Sequence, residues 1–458
     1  MPVAGQLGDG GGGPHRRTRE TDHGPIIARD RSRWVGFPTE EDATLSPLPR
    51  QSPEAAADPA GAPPDPAETV VIVGGGFGGL YTALALAEQR RPPSILLIEP
   101  AERFVFLPLL YELLSGELRR WEIAPRYDDL LAGRGVAWLQ DRVVRVDLAH
   151  RTLHTQGGRQ LDWGRLVLAC GGEADHFGIP GVERYSLGFR TLTDVERLQE
   201  QLARLRQERR PLQRLAVVGA GPTGVELACK LADLADGSAL VELIEQGDRP
   251  LPHNRAFSRD QAEQALRRRD VRLRTRTRVT AVEADRLHLS SPTGAEEQLP
   301  VQAVIWTAGL RFRPPLLEPA PPSDGRGRLL CNADLQLQGH DGVFVVGDLA
   351  NLPGPDADGP LPSTAQVAFQ QAPVAAANLM HSLAGAPLEP FRFQELGEMM
   401  SLGVGEASLS GLGVNLAGPT AYQLRRMAYL TRLPRRSLQL RVAAGWLADW
   451  GRPAGLTP

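Results

Sequence analysis

Gly74, Gly76 and Gly79 follow the short apolar run Thr69–Val73 in a G-x-G-x-x-G spacing, and Gly219, Gly221 and Gly224 repeat that spacing after Arg214–Val218. In such a turn the first glycine permits the tight reversal, the second lets the backbone approach a pyrophosphate, and the third lets helix and strand pack closely. The phosphates then meet the amide-rich, electropositive start of the helix. Each cluster is answered, about 25 residues past its first glycine, by an acid at the end of a second apolar run: Glu99 after Ser94–Ile98 and Glu245 after Leu240–Ile244. A carboxylate in that place accepts hydrogen bonds from ribose hydroxyls and repels a 2′-phosphate. Glu245 therefore favours NADH over NADPH, with Arg249 the nearby cation able to offset the repulsion.

Two complete fingerprints call for two dinucleotides meeting face to face, and the chemistry that pairs them is hydride transfer from a nicotinamide to a flavin. A third apolar strand at 343–346 ends in Gly347-Asp348, and a helix is expected over 364–384, with Ser363-Thr364 as an N-cap pair and Gly385 as its stop. Gln366 and Gln370, four apart, share one face of that helix. Cys170, Cys229 and Cys331 form no close pair, so the chain offers neither a disulfide framework nor a metal knuckle, and no metal site is expected. Lys230 is the only lysine and falls inside an expected helix, which leaves little room for Schiff-base chemistry.

The elements that must position these residues read as α/β, with two Rossmann-like dinucleotide-binding domains and a carboxyl-terminal membrane-association segment. Residues 1–67 are rich in Gly, Pro, Arg and Asp without periodicity, the composition of a disordered tail. The expected division is an FAD-binding domain in two parts, 68–185 and 316–390, around an NAD(P)H-binding domain at 186–315, with 391–458 as the membrane-association region. The helices after the two fingerprints are expected at 80–89 and 224–234. A net charge of −3 gives no global basic field for nucleic acid. No apolar run is long enough to span a bilayer. Between Glu406 and Asp449 no acid occurs, while Arg425, Arg426, Arg432, Arg435, Arg436 and Arg441 all do. Leu438, Val442, Trp446 and Trp450 recur every fourth position. Together these features predict an in-plane helix on an anionic lipid surface, with a helix that packs its apolar side onto the protein core as the alternative reading.

In the same chain order come VVIVGGGFGG at 70–79, FVFLPLLYELLSG at 104–116, VVGAGPTGVE at 217–226, VIWTAG at 304–309, VFVVGD at 343–348 and PSTAQVAFQQA at 362–372. From residue 68 to 450 the chain resembles the two-dinucleotide-binding-domain flavoproteins, and among them the type II NAD(P)H:quinone oxidoreductases. FLPLLYELLSGEL followed by WEIAP at 121–125 is similar to the cyanobacterial and plastid, demethylphylloquinone reductase-like branch. The resemblance implies FAD as cofactor, NADH (or NADPH) as co-substrate, and two-electron reduction of a membrane quinone without proton pumping. It implies that Asp348 binds the ribityl chain of FAD and that Ala365 borders the flavin. The helix behind Ala365 would aim its positive end at the flavin pyrimidine. Gln366 and Gln370 would line the quinone pocket, and Glu226 would lie near the nicotinamide. The apolar 104–114 segment reads either as plain core or as a loop lining the flavin site. Peripheral attachment to the cytoplasmic face of a plasma or thylakoid membrane is expected, and a homodimer is left open. The competing readings are a sulfide:quinone oxidoreductase using Cys170 and Cys331, a soluble ferredoxin or rubredoxin reductase, and a flavin-binding redox sensor.

Overall fold

The computed structural model describes residues 65–208, 210–354 and 359–448; all but the last three residues of the tail at 1–67 lie outside the described residues, as does Trp450. Two five-stranded parallel sheets organise the chain, and they are built alike. In the first the strand order is Val343–Val345, Arg165–Leu168, Thr69–Val73, Ser94–Ile98, Val136–Leu139. In the second it is Arg272–Arg274, Leu240–Ile244, Arg214–Val218, Ala303–Trp306, Ser186–Leu187. Each fingerprint strand sits in the middle of its sheet, buried along nearly its whole length, which is why both read as unbroken apolar runs rather than alternating ones. The two nucleotide turns leave from the carboxyl ends of those central strands, the edge where open α/β sheets bind ligands.

The helix Phe77–Ala87 begins three residues earlier than its expected start at 80, and Pro222–Ala235 begins two earlier than 224, because the later fingerprint glycines are themselves helical. The helix Ala365–Ala384 packs along Phe77–Ala87. The Thr364 side chain caps its start by accepting the Val367 N–H at 3.3 Å, and Gly385 closes it in the left-handed region at φ 66°.

Beyond residue 391 the chain folds into a three-stranded antiparallel sheet, Glu398–Ser401, Ala407–Gly411 and Val414–Gly418, followed by the helices Pro419–Leu430 and Arg436–Ala448. Here the expected lipid-facing stripe is corrected. Leu438 and Val442 are buried in the main core, and Trp446 packs against it and donates its indole N–H to Glu122 at 2.9 Å. Arg426 lies over the Trp446 ring at 4.1 Å, and Arg441 lies over Trp121 at 4.7 Å. A stripe repeating every four residues marks one buried helix face, and protein core satisfies that pattern as well as lipid does. Among the described residues no helix is long and apolar enough to cross a membrane.

Candidate active site

Residue for residue, the two nucleotide turns have the same construction. Gly74 and Gly219 both adopt φ +101°, which only glycine tolerates without strain. A side chain on Gly79 would run into the carbonyl oxygen of Gly74, and one on Gly224 into that of Gly219. Gly76 and Gly221, by contrast, face open space, with no protein atom within 4 Å of where a Cβ would stand. That open side leaves room for a diphosphate over the helix start.

The two acids are fixed in the same way. Glu99 accepts the N–H of Gly75 at 2.7 Å and of Ala101 at 2.9 Å; Glu245 accepts those of Ala220 and Gly247, both at 2.7 Å. Each carboxylate is thereby held at the strand end, and each oxygen keeps a lone pair for a ribose hydroxyl.

Both turns open on one cavity of about 1690 Å³, bordered by Gly74, Gly76 and Glu99 on one side and by Gly221, Glu226 and Glu245 on the other. A volume above the ~300–1,000 Å³ of a pocket for one small ligand suits more than one occupant. Asp348, Ala365 and Gln366 also border it. Gly79, Gly219 and Gly224 shape the turns from behind. Burial pushes the Asp348 carboxyl above the usual range, against the opposing pull of Arg190.

The two glutamines are engaged in a different task. Gln366 donates to the Gly397 carbonyl at 3.1 Å and accepts the Leu396 N–H at 3.0 Å; Gln370 does the same with the backbone of Gln394 at 2.9 and 3.0 Å. Their amides pin the 394–397 segment to the helix as a neighbouring strand would. Gln366 still borders the cavity, whereas Gln370 stands off it.

Glu226 lies at the centre of a buried cluster that the sequence did not disclose. Its carboxylate accepts the Ser401 N–H at 2.6 Å and lies 3.8 Å from the Arg425 guanidinium, with the Tyr111 hydroxyl as a further partner. Arg425, itself buried, pairs with the buried Glu112 and lies over the Tyr429 ring at 5.0 Å. Burial works against the Arg425 charge, but Glu112 and Glu226 around it more than offset that. Burial also pushes the Glu226 carboxyl up to about 7; Glu112 adds to the shift, while Arg425 and the Ser401 amide oppose it. One signal was available in advance: Glu112 is the sole charge in the apolar segment 104–114, and a lone buried charge needs a partner. That segment is both core and lining, since Phe104, Leu109 and Leu110 are buried while Phe104, Pro108 and Tyr111 border the cavity.

Lys230 is fully buried and paired with Glu117, whose other oxygen accepts the Gly405 N–H at 2.9 Å, so the single lysine has a structural partner. Of the three free cysteines, Cys170 borders the cavity; Cys229 and Cys331 are buried away from it. Chemistry that needs two cysteines at a flavin thus has no pair to use. Among the described residues no group of three or more His, Cys, Asp or Glu is placed to hold a metal.

Twin parallel sheets, twin glycine cradles and a shared cavity define a two-dinucleotide oxidoreductase. The comparisons agree: residues 68–372 match the pyridine nucleotide-disulphide oxidoreductase family, and the chain belongs to that family, within its type II NAD(P)H:quinone oxidoreductases. It is 42% identical over 395 residues to the demethylphylloquinone reductase of Synechocystis sp., covering 84% of this chain and 96% of that one. To the alternative NAD(P)H-ubiquinone oxidoreductase C1 of Arabidopsis thaliana it is 36% identical, covering 83% and 80% of the two chains. The fold is also that of the NDH2 structure from Plasmodium falciparum in complex with NADH, at TM-score 0.74, 18% identity and coverage of 85% and 99%.

Proposed function

We propose that this chain is an FAD-dependent NAD(P)H:quinone oxidoreductase that takes reducing equivalents from NADH and passes them to a membrane quinone. The observation that carries it is the pair of matched cradles opening on one cavity. FAD, when bound, supplies the two-electron chemistry that joins a hydride donor to a quinone. The protein's part is binding, orientation and proton supply.

The first cradle, Glu99, Asp348 and the start of the helix at Ala365 hold FAD. The second cradle and Glu245 hold NADH, and Glu245 disfavours the 2′-phosphate of NADPH. Glu226, buried beside the cavity with its carboxyl pushed up to about 7, is the group able to keep a proton at neutral pH and release it to a reduced quinone. Gln366 and Gln370 support the quinone side by fixing the 394–397 backbone against their helix. Similarity to the Synechocystis protein favours a naphthoquinone such as demethylphylloquinone, with a plastoquinone-like acceptor as the alternative.

A quinone with a long isoprenoid tail stays in the bilayer, so the enzyme works at its surface, on the cytoplasmic face. With the Leu438 stripe facing inward, lipid contact falls to the side chains that the last two helices leave exposed, Leu424, Met427, Leu440 and Leu447, together with the arginines around them. Turnover of NADH by purified protein against a panel of short-chain quinone, ferredoxin, sulfide-linked and disulfide acceptors tests the reading. Quinone is expected to be the productive acceptor; turnover confined to ferredoxin or sulfide would overturn it.

A further inference from the structure

The helix Pro222–Ala235 carries Glu226, Lys230 and Asp233 on one side, at intervals of four and three residues. Beside them runs the turn 402–406, which joins the strands Glu398–Ser401 and Ala407–Gly411 and is closed by the Leu402 N–H on the Glu406 carbonyl at 2.9 Å. Three N–H groups at this turn go to side-chain carboxylates rather than to the sheet. Ser401 donates to Glu226 at 2.6 Å, Val404 to Asp233 at 2.7 Å and Gly405 to Glu117 at 2.9 Å. Each acceptor has its own cation: Arg425 near Glu226, Arg269 on Asp233 at 2.8 Å, and the fully buried Lys230 on Glu117, where the Ser115 and Tyr422 hydroxyls also meet the carboxylate.

Of the three acids, Glu226 alone borders the cavity. Asp233 stands two helical turns away, about 10 Å along the axis, yet it shares the turn with Glu226. The turn is packed hard against that end of the helix, since a side chain on Gly403 would collide with the Arg269 guanidinium and the Asp233 carboxylate. An N–H donated to a carboxylate favours its charged form. Burial raises the proton affinity of Glu226, and the Ser401 N–H is among the groups that lower it. The other ionisable groups around Glu226 are Tyr111 and Glu112 from the apolar segment, Arg425 and Tyr429 from the helix Pro419–Leu430, and Cys229 and Lys230 on its own helix. The hairpin's contribution is the Ser401 N–H, because its acids Glu398 and Glu406 are turned to the Arg255 N–H and to Arg268 and Arg269.

We propose that Asp233 and Glu117 are positioning residues for Glu226: by holding Val404 and Gly405 they fix the turn that keeps the Ser401 N–H on the Glu226 carboxylate. Lys230 serves the same end by anchoring Glu117. A turn that slackens withdraws one donor from the Glu226 anion, so the carboxyl keeps its proton to higher pH. The proposal rests on the reading of Glu226 as the proton donor to a reduced quinone.

The test follows reoxidation of the NADH-reduced holoenzyme by a short-chain quinone across pH and reads the midpoint at which the rate falls. Asp233→Ala is expected to move that midpoint up by at least about half a pH unit, roughly threefold in proton affinity. Asp233→Asn, which keeps an oxygen for the Val404 N–H, is expected to stay near the wild-type midpoint. The direction separates positioning from charge, because deleting a neighbouring negative charge would by itself lower the proton affinity of Glu226 and move the midpoint down. Glu117→Asp keeps the charge opposite Lys230 but draws the carboxylate back from Gly405, and an upward shift is expected there too. This milder change decides the matter if Asp233→Ala is purified without flavin. An unmoved or lowered midpoint in either variant that retains flavin overturns the proposal, as does an equal upward shift in Asp233→Asn. A wild-type rate with no such fall, or a fall that Glu226→Gln retains, sinks the proton-donor reading itself, whereas a wild-type fall that the anchor variants leave in place sinks only their positioning role.

Discussion

Tyr81 and Glu226 occupy the same place in the two cradles, each seven residues past its first glycine, and there the likeness between the cradles ends. Tyr81 donates its hydroxyl to the Arg432 carbonyl and sits in an aromatic group with Phe77, Phe104 and Phe369. Glu226 accepts the Ser401 N–H and sits among Tyr111, Glu112 and Arg425. Both helices therefore hold the carboxyl-terminal segment, one with a donor and the other with an acceptor. One is surrounded by rings and the other by charge. The cradle itself states only that a dinucleotide binds; the second turn of its helix states what surrounds it. An apolar wall suits a cofactor that stays, and a titratable wall suits a site where protons are exchanged.

The largest effect should come from the charged side. Arg425→Met leaves Glu112 buried and unpaired, which costs about 3–5 kcal/mol. Denaturant unfolding should show that loss, and Glu112→Gln added to Arg425→Met should recover a good part of it, since removing both charges is far cheaper than removing one. A single variant as stable as wild type would mean that the cluster does not hold the last two helices. The same pairing is the reason that cutting the chain after Pro419 would damage the core rather than merely detach it from lipid.

The likeness of the cradles can be broken at Gly76 and Gly221, whose φ values of −67° and −72° suit any residue and whose open sides meet no protein atom. An alanine at either position should fold normally and obstruct only the ligand. Gly76→Ala is expected to weaken flavin retention tenfold or more, about 1.4 kcal/mol, and Gly221→Ala to raise the KM for NADH by a similar factor with flavin retained. If both variants lose flavin, or neither binding step changes, the assignment of the two cradles is wrong.

How far these differences were legible in the sequence follows from their range along the chain. The strands Thr69–Val73, Ser94–Ile98, Arg214–Val218 and Leu240–Ile244 could be read to the residue because each is a short apolar run bounded by glycine or charge. Glu99 and Glu245 were legible because their spacing from the glycines is local. The Arg425–Glu112 pair joins residues 313 apart, and no local pattern matches one arginine of a basic run to one acid in an apolar segment. The Leu438 stripe was legible as a helix face but not as an inward one, because periodicity gives the face and tertiary packing decides what covers it.

A smaller effect is expected at Glu245. Glu245→Gln removes the charge that opposes a 2′-phosphate and should narrow the NADH:NADPH ratio of kcat/KM about tenfold, ~1.4 kcal/mol. An unchanged ratio would show that nucleotide choice is made elsewhere.

At Glu226 the effect is one of pH. A carboxyl pushed up to about 7 is protonated below that value and charged above it, so quinone reduction that draws on its proton should fall as pH rises through 7. Glu226→Gln should be slower severalfold and should lose that limb. Stability follows the same sign. The folded carboxyl keeps its proton from its ordinary 4.5 up to about 7, while the unfolded one does not, so its burial weighs against the fold increasingly across that window and fully above it. Wild type should accordingly gain melting temperature relative to Glu226→Gln when the pH is lowered from about 8 to about 5.

The most direct test of the two-cradle, one-cavity arrangement is sequential mixing of the holoenzyme without oxygen, with the visible absorption of the bound flavin as readout. NADH alone should bleach it, and a quinone added afterwards should restore it, while Gly221→Ala should shift the first step to higher NADH concentration and leave the second as fast as in wild type. Flavin that stays oxidised with NADH and NADPH alike, or bleached flavin that quinone does not reoxidise, would contradict the assignment of the cavity to electron transfer from nicotinamide to quinone.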